Sequence, residues 1–178
     1  MKTPDFRNCS PLMRFPIFLI PAITVIWLLT GCAKQTDPDA LLESDLAAYD
    51  FHMVQGDRPK VGKPLVIEFW ATWCGPCHRL FPHLNNMFEE LKDIDIQFVA
   101  VTNEHFELTR EFVRARQLKY PVAVDIRDLY GRALKVSYIP YAVIINEDGQ
   151  VIWSGHSGKL SKTRIEKVLE ADKAQSQV

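Results

Sequence analysis

Two cysteines three residues apart stand where an apolar run gives way to a helical pattern. Leu65 to Ala71 is short and apolar and follows the Gly- and Pro-rich stretch 56–64, which favours a strand buried on both faces. Residues 75–92 then space their apolar side chains as one face of a helix does. Cys74 and Cys77 therefore mark the start of a helix that follows a buried strand, and this unit restricts the chain to folds in which helices pack on a sheet.

The rest of the chain continues this alternation of strands and helices. Residues 43–54 are predicted as a further short helix. The other predicted elements are strands at 96–101 and 121–124, helices at 105–118 and 129–136, a hairpin of 141–146 with 150–154, and a last helix capped by Ser161. This order predicts an α/β fold with a mixed central sheet flanked by helices on both faces.

Composition narrows the class of protein further. The chain has 178 residues, of which 47% are apolar and 24% are charged, which suits one domain with a substantial core. Its formal net charge of −1 argues against nucleic-acid binding, because such binding rests on clustered Lys and Arg. Four cysteines are too few for a disulfide-stapled scaffold of this size, so each needs its own explanation.

The first 31 residues have the layout of a secretory signal, with basic residues, an apolar run and small residues before a cysteine. The run from Phe15 to Leu29 is a weak membrane span, because its 15 residues would rise only about 22 Å as a helix. A short anchoring helix is the alternative. The Leu-Thr-Gly-Cys sequence that ends at Cys32 resembles a bacterial lipobox, which implies that Cys32 becomes the lipidated first residue of the mature chain.

This processing implies a simple organisation of the chain. A lipoprotein signal peptide would occupy 1–31, the lipidated cysteine with its tether and possible helix 32–55, one domain 56–172, and a short tail 173–178. Since Cys9 leaves with the signal and Cys32 carries lipid, only Cys74 and Cys77 remain as thiols. We expect the protein outside the cytoplasm, anchored by lipid to a bacterial membrane, where disulfide bonds persist.

The position of the two thiols at a helix start predicts redox chemistry. Free amide N–H groups and the positive end of the helix dipole stabilise a thiolate there and lower its pKa. Cys74 is then the expected nucleophile toward a disulfide, and Cys77, one helical turn away, displaces the resulting mixed disulfide.

Two other chemistries use the same spacing. A structural zinc site needs a second ligand pair, and the sequence offers no second cysteine pair, so we predict no metal. With His78, the stretch from Cys74 also matches the C-x-x-C-H signature of c-type haem attachment. A solvated side chain at the helix start is the ordinary interpretation of His78. We assign no role to His52, His105 and His156.

The stretch from Phe69 to Cys77, Phe-Trp-Ala-Thr-Trp-Cys-Gly-Pro-Cys, closely resembles the thioredoxins, as does Pro82 five residues later. With the lipobox and the segment 102–126, the chain is similar to the membrane-tethered TlpA/ResA-like branch over roughly residues 60–170. The resemblance implies the thioredoxin fold and no cofactor beyond a redox-active Cys74–Cys77 disulfide.

The resemblance also implies roles for individual positions. Glu68, in the middle of the buried strand, matches the acid that exchanges the proton of the resolving thiol, and burial would raise its pKa toward neutrality. Pro140 matches the family's cis-proline, and the backbone of Ile139 before it would pair with an extended substrate. The other expected contacts with a substrate or partner are Trp73, Gly75, Pro76 and Gly158.

The resulting expectation is an extracytoplasmic thiol–disulfide oxidoreductase that reduces protein disulfides, such as the C-x-x-C-H thiols of apocytochromes c before haem attachment. An oxidising compartment would reoxidise the pair, so a CcdA- or DsbD-like membrane electron donor is the expected partner. The alternatives are a disulfide oxidase or isomerase, a c-type haem electron carrier, and a copper-handling binding module.

Overall fold

The computed structural model describes residues 51–176, which form one mixed sheet with four helices. In chain order the elements are β1 (His52–Gln55), β2 (Leu65–Phe69), α1 (Gly75–Glu90), β3 (Gln97–Thr102), α2 (Phe106–Arg116), β4 (Val122–Val124), α3 (Leu129–Ala133), β5 (Tyr141–Ile145), β6 (Val151–His156) and α4 (Lys162–Ser176), with 3-10 turns at Leu91–Asp93 and Ser157–Lys159.

The six strands lie in the order β1-β4-β3-β2-β5-β6. Strands β2, β3 and β4 run parallel to one another, whereas β1, β5 and β6 are each antiparallel to their neighbours. All five residues of β2 are buried, because the strand is central and both of its faces are covered. The end of this strand is therefore a fixed point from which the next loop starts.

Helices cover both faces of the sheet. Side chains alternate between the faces along a strand, so Val66 of β2 packs with apolar residues of α1, α2 and α4. Its neighbours Leu65 and Ile67 point the other way and pack with Tyr130 of α3 and with Phe51. The predicted α/β class, a mixed sheet between two helical layers, is confirmed.

Most predicted elements appear within a few residues of their predicted ends, but the helix over 43–54 is wrong in its described part. His52–Gln55 is strand β1, which pairs with β4 and places the start of the sheet before the expected boundary at residue 56. A bulge between Met53 and Gln55 interrupts the two-residue alternation that identifies a strand in a sequence. Residues 43–50 lie outside the described part.

The two ends of the chain are only partly covered. The predicted signal at 1–31, Cys32 and most of the tether lie outside the described residues. Helix α4 continues through Ser176, so most of the predicted tail at 173–178 is helical. Between residues 51 and 176, no helix has the length and apolar character needed to cross a membrane.

Candidate active site

The loop between β2 and α1 brings the two cysteines to the edge of the sheet. Trp70 continues the pairing of β2, since its N–H donates to the carbonyl of Val101 at 3.1 Å. The chain then turns, with the N–H of Cys74 donating to the carbonyl of Ala71 at 3.1 Å, and α1 begins. Pro76 lies in the first helical turn, where no backbone N–H is required. Cys74 is thereby fixed as the N-cap of the helix.

The two cysteines form a disulfide that closes the first turn of α1. Their sulfurs are 2.00 Å apart, and their Cα atoms are 5.3 Å apart. The N–H of Cys77 donates to Sγ of Cys74 at 3.2 Å, in the place where a capping oxygen usually accepts. Residues Cys74 and Cys77 are only 2% and 1% exposed, whereas the adjacent Trp73 is 73% exposed. The sulfur of Cys74 thus lies at the N-terminus of α1, where the helix dipole stabilises a thiolate.

Glu68 is the only acidic residue of β2, and it is fully buried. It lies on the same face as Val66, the face that α1 covers. Burial raises the pKa of its carboxyl to about 8, and a hydrogen bond from the Ser157 hydroxyl, 3.0 Å from Oε1, partly opposes that rise. Oε2 accepts no hydrogen bond from any described residue. The group can therefore gain and lose a proton near neutral pH.

The bond between Ile139 and Pro140 is cis, as predicted. Pro140 comes directly before β5, and Tyr141 at the start of β5 pairs with Phe69 at the end of β2. The cis-proline consequently lies beside the point at which the cysteine loop leaves the sheet. This places the two segments that the resemblance assigns to substrate binding next to each other.

A groove of about 360 Å³ opens between these segments. Trp73 lines one side, Tyr138 and Ile139 line the other, and Phe69 and Val101 contribute apolar surface between them. Of the remaining predicted contacts, Gly75 and Pro76 are exposed at the helix start but do not line the groove.

Gly158 has an explanation within the domain. Its N–H donates to Nδ1 of His156 at 3.0 Å, and a Cβ at this position would lie 3.1 Å from the same nitrogen. The absence of a side chain makes room for the ring of His156.

Thr72 is held by Glu104, a contact that no sequence pattern indicated. Its N–H and its hydroxyl donate to the two carboxylate oxygens of Glu104, each at 2.6 Å. Glu104 follows β3, and the carboxyl ends of the parallel strands β2 and β3 lie at the same edge of the sheet. Glu104 lies three residues after the end of the strand predicted at 96–101. An acidic side chain in that position was the signal that could have identified this contact with Thr72.

His78 is not the solvated side chain that we expected. It is half-buried, and its Nε2 lies 2.8 Å from the carbonyl oxygen of Thr72. The ring packs against Phe81 and Phe112, with centroids 5.3 and 5.1 Å away. A haem ligand needs a ring nitrogen directed at the iron, so this packing and the disulfide do not fit covalent haem attachment.

The described residues also offer no cluster suited to a metal. Between residues 51 and 176, no group of three or more His, Cys, Asp or Glu side chains is placed to hold a metal ion.

Comparisons with known proteins agree with this geometry. The Redoxin family model matches residues 32–170. The chain is 30% identical to thiol-disulfide oxidoreductase ResA of Halalkalibacterium halodurans, over 67% of this chain and 68% of that protein. It is 31% identical to ResA of Geobacillus kaustophilus, over 78% and 76%. The crystal structure of StoA from Bacillus subtilis superposes with a TM-score of 0.58 at 18% identity, covering 66% of this chain and 92% of that one, and shows the same fold.

The raised pKa of Glu68 makes the stability of the oxidised protein depend on pH. A carboxyl whose pKa rises from 4.5 to about 8 on folding stabilises the fold fully below pH 4.5, and this contribution is lost as the pH rises through 8. Between about pH 5 and pH 8 the free energy of unfolding should fall by roughly 3 kcal/mol more in the wild type than in Glu68→Gln. Urea unfolding of both oxidised proteins at the two pH values measures the difference, and parallel behaviour would contradict it.

Proposed function

Since the chain belongs to the Redoxin family and is a thioredoxin-like oxidoreductase, we propose that it reduces protein disulfides outside the cytoplasm through the Cys74–Cys77 dithiol. The observation that carries this proposal is a disulfide at the first turn of α1, on the sheet face that holds a buried, titratable Glu68. The N-terminus of α1 stabilises the thiolate form of Cys74. Glu68, on the sheet face that α1 covers, can accept the proton of the other thiol.

In the first step, the Cys74 thiolate attacks a sulfur of the substrate disulfide. The substrate S–S bond breaks, one of its sulfurs becomes bonded to Sγ of Cys74, and the other leaves as a thiolate. The free N–H groups of the first helical turn, including that of Cys77, stabilise the anionic sulfur before attack. Trp73 and the backbone of Ile139, which line the groove, are proposed to hold the substrate chain.

In the second step, the carboxylate of Glu68 takes the proton of the Cys77 thiol. The Cys77 sulfur then attacks Sγ of Cys74, the bond from Cys74 to the substrate breaks, and the second substrate sulfur leaves as a thiolate. Two electrons have passed to the substrate, and the enzyme is left as the disulfide seen in the structure. With a pKa of about 8 in this state, Glu68 keeps the proton at pH 7.

The proton on Glu68 is then available for the return step. When an electron donor reduces the disulfide by attack on Cys74, Cys77 leaves as a thiolate and takes this proton back. We propose a CcdA- or DsbD-like membrane protein as the donor, because an oxidising compartment supplies no reductant of its own. The Gly-Pro pair between the cysteines, which resembles the reducing thioredoxins, supports this direction of electron flow.

The proposed substrates are disulfide-containing proteins, among them apocytochromes c whose C-x-x-C-H thiols must be reduced before haem attachment. The similarity to proteins named thiol-disulfide oxidoreductase ResA supports the general class of substrate. The lipobox at Cys32 supports a lipid anchor that places the domain on the outer side of a bacterial membrane.

Single replacements of the two cysteines separate the steps. Cys74→Ser should abolish reduction of a protein disulfide such as that of insulin, because the attacking sulfur is gone. Cys77→Ser should also stop turnover but accumulate a mixed disulfide on Cys74, visible by non-reducing electrophoresis and mass spectrometry. Full turnover in Cys74→Ser would exclude the proposed mechanism.

The direction of electron flow is tested by trapping the redox state in cells. Acid quenching followed by thiol alkylation should find Cys74 and Cys77 mostly as the dithiol, since a reductase must be kept reduced. Deletion of the membrane donor should convert the pool to disulfide. A pool that is mostly disulfide in wild-type cells would identify an oxidase instead.

The lipid anchor is tested at Cys32. Cys32→Ala should prevent lipidation, so that the protein no longer fractionates with membranes, while insulin reduction by the purified protein is unchanged. Cys9→Ala serves as the control, because that residue lies within the proposed signal peptide. Normal membrane retention of Cys32→Ala would instead support an uncleaved anchoring helix.

A further inference from the structure

Ser157 connects two parts of the site that are far apart in sequence. It is fully buried at the start of the 3-10 turn that follows β6. Its hydroxyl donates to Oε1 of Glu68 at 3.0 Å, across 89 residues of sequence. Neither the sequence pattern nor the resemblance to thioredoxins singled it out.

The backbone of Ser157 is held in place as well. Its N–H donates to the carbonyl of Pro140 at 3.4 Å, and its own carbonyl accepts from the N–H of Leu160 at 3.0 Å. The same residue therefore contacts the cis-proline through its backbone and the buried acid through its side chain. Because both the N–H and the carbonyl of Ser157 are hydrogen-bonded, its backbone is fixed, and its hydroxyl is held within reach of Glu68.

The direction of the hydrogen bond between Ser157 and Glu68 is fixed when Glu68 is ionised. A carboxylate can only accept, so the hydroxyl must donate to Oε1 in that state, and a bond to a charged acceptor is the stronger kind. Oε2 receives no hydrogen bond from a described residue, so it is the oxygen left to take up a proton.

Few other polar or titratable side chains among the described residues lie near the carboxyl of Glu68. The neighbouring strands place Ala100 and Ala142 beside Glu68. Within the described part of the chain, the titratable groups of the surrounding buried layer are Tyr120, whose pKa burial and the Glu68 charge both raise, and the two cysteines at the start of α1. Tyr120 therefore stays neutral over the working range of pH, and its hydroxyl donates to no described residue.

We propose that Ser157 is a positioning residue that holds Glu68 through Oε1 and leaves Oε2 to exchange the proton of the resolving thiol. The inference rests on the proposed function, since it assigns to Ser157 control over the step in which Cys77 resolves the mixed disulfide. Its contact with Pro140 places this control next to the segment that meets the substrate.

Loss of the hydroxyl has a direct effect on proton exchange. The Ser157 bond lowers the pKa of Glu68, so its removal moves the titration of that carboxyl upward, by about one pKa unit for a bond to a charged group. At pH 7 the ionised fraction of Glu68, and with it the rate of resolution, then falls about tenfold. The attack by Cys74 does not use Glu68 and keeps its rate.

The test measures the two steps separately in the full-length reduced protein. An aromatic disulfide such as 5,5′-dithiobis(2-nitrobenzoate) releases one coloured thiolate on attack and a second on resolution, and rapid mixing between about pH 6 and pH 10 gives a profile for each. The variants are Ser157→Ala, Ser157→Gly and the hydroxyl-retaining Ser157→Thr. Ser161→Ala is the matched control, because it removes an exposed serine hydroxyl that caps α4 four residues away.

The resolution profile of Ser157→Ala and Ser157→Gly should move upward by about one pH unit, with Ser157→Thr and Ser161→Ala close to wild type. Infrared titration of the buried carboxyl in the oxidised proteins should show the same shift without any turnover. An unmoved infrared titration in both hydroxyl-free variants, or equal slowing of both steps, would overturn the role of Ser157.

Glu68→Gln distinguishes this outcome from failure of the proposed function. If Glu68→Gln slows resolution and removes the Glu68 titration from its pH profile while Ser157→Ala behaves as wild type, only the inference about Ser157 fails. If Glu68→Gln resolves at the wild-type rate at every pH, the proton-transfer role of Glu68 fails and the inference falls with it.

Discussion

The proposed chemistry of this molecule depends on a single carboxyl, that of Glu68, which is buried in the middle of the central strand. Burying Glu68 in charged form would cost several kcal/mol, so the sheet favours its protonated form, and its pKa rises to about 8. That requirement matches the chemistry of the adjacent helix, where breaking and remaking a disulfide demands a proton at one sulfur. The strand that anchors the core thus also carries the group that we propose moves the proton.

Polar contacts hold the loop that carries Cys74, the proposed nucleophile, to this core. Glu104 binds Thr72 through both carboxylate oxygens, and His78 binds the carbonyl of the same residue. On the opposite side of the site, Ser157 joins the cis-proline segment to Glu68. Each contact links residues far apart in sequence or on different elements, so the geometry of the two cysteines depends on the whole sheet.

Sequence patterns predicted the central architecture because its signals are strong. The apolar run of β2, the helical spacing of α1 and the two cysteines gave the fold class, and the cis state of Pro140 followed from resemblance. Sequence patterns failed where tertiary contacts determine the secondary structure of a segment. Strand β1 is short and bulged, so its alternation is obscured.

The side-chain environments were harder to predict than the elements. His78 is fixed by Phe112 of α2, which is distant in the chain, and by the carbonyl of Thr72, whose approach depends on how the loop turns into the helix. Ser157 is an ordinary turn serine in the sequence, and only the packing of β6 beside β5 brings its hydroxyl to Glu68. Such roles arise from proximity across the fold, and no local periodicity encodes them.

The near-complete covering of the two sulfurs has a kinetic consequence. Because Cys74 and Cys77 are only 2% and 1% exposed, few collisions with molecules in solution meet either sulfur directly. Thr72, bonded to Glu104 and contacted by the ring of His78, restrains the loop beside them. Small thiols should therefore react with this disulfide more slowly than with one on an open surface.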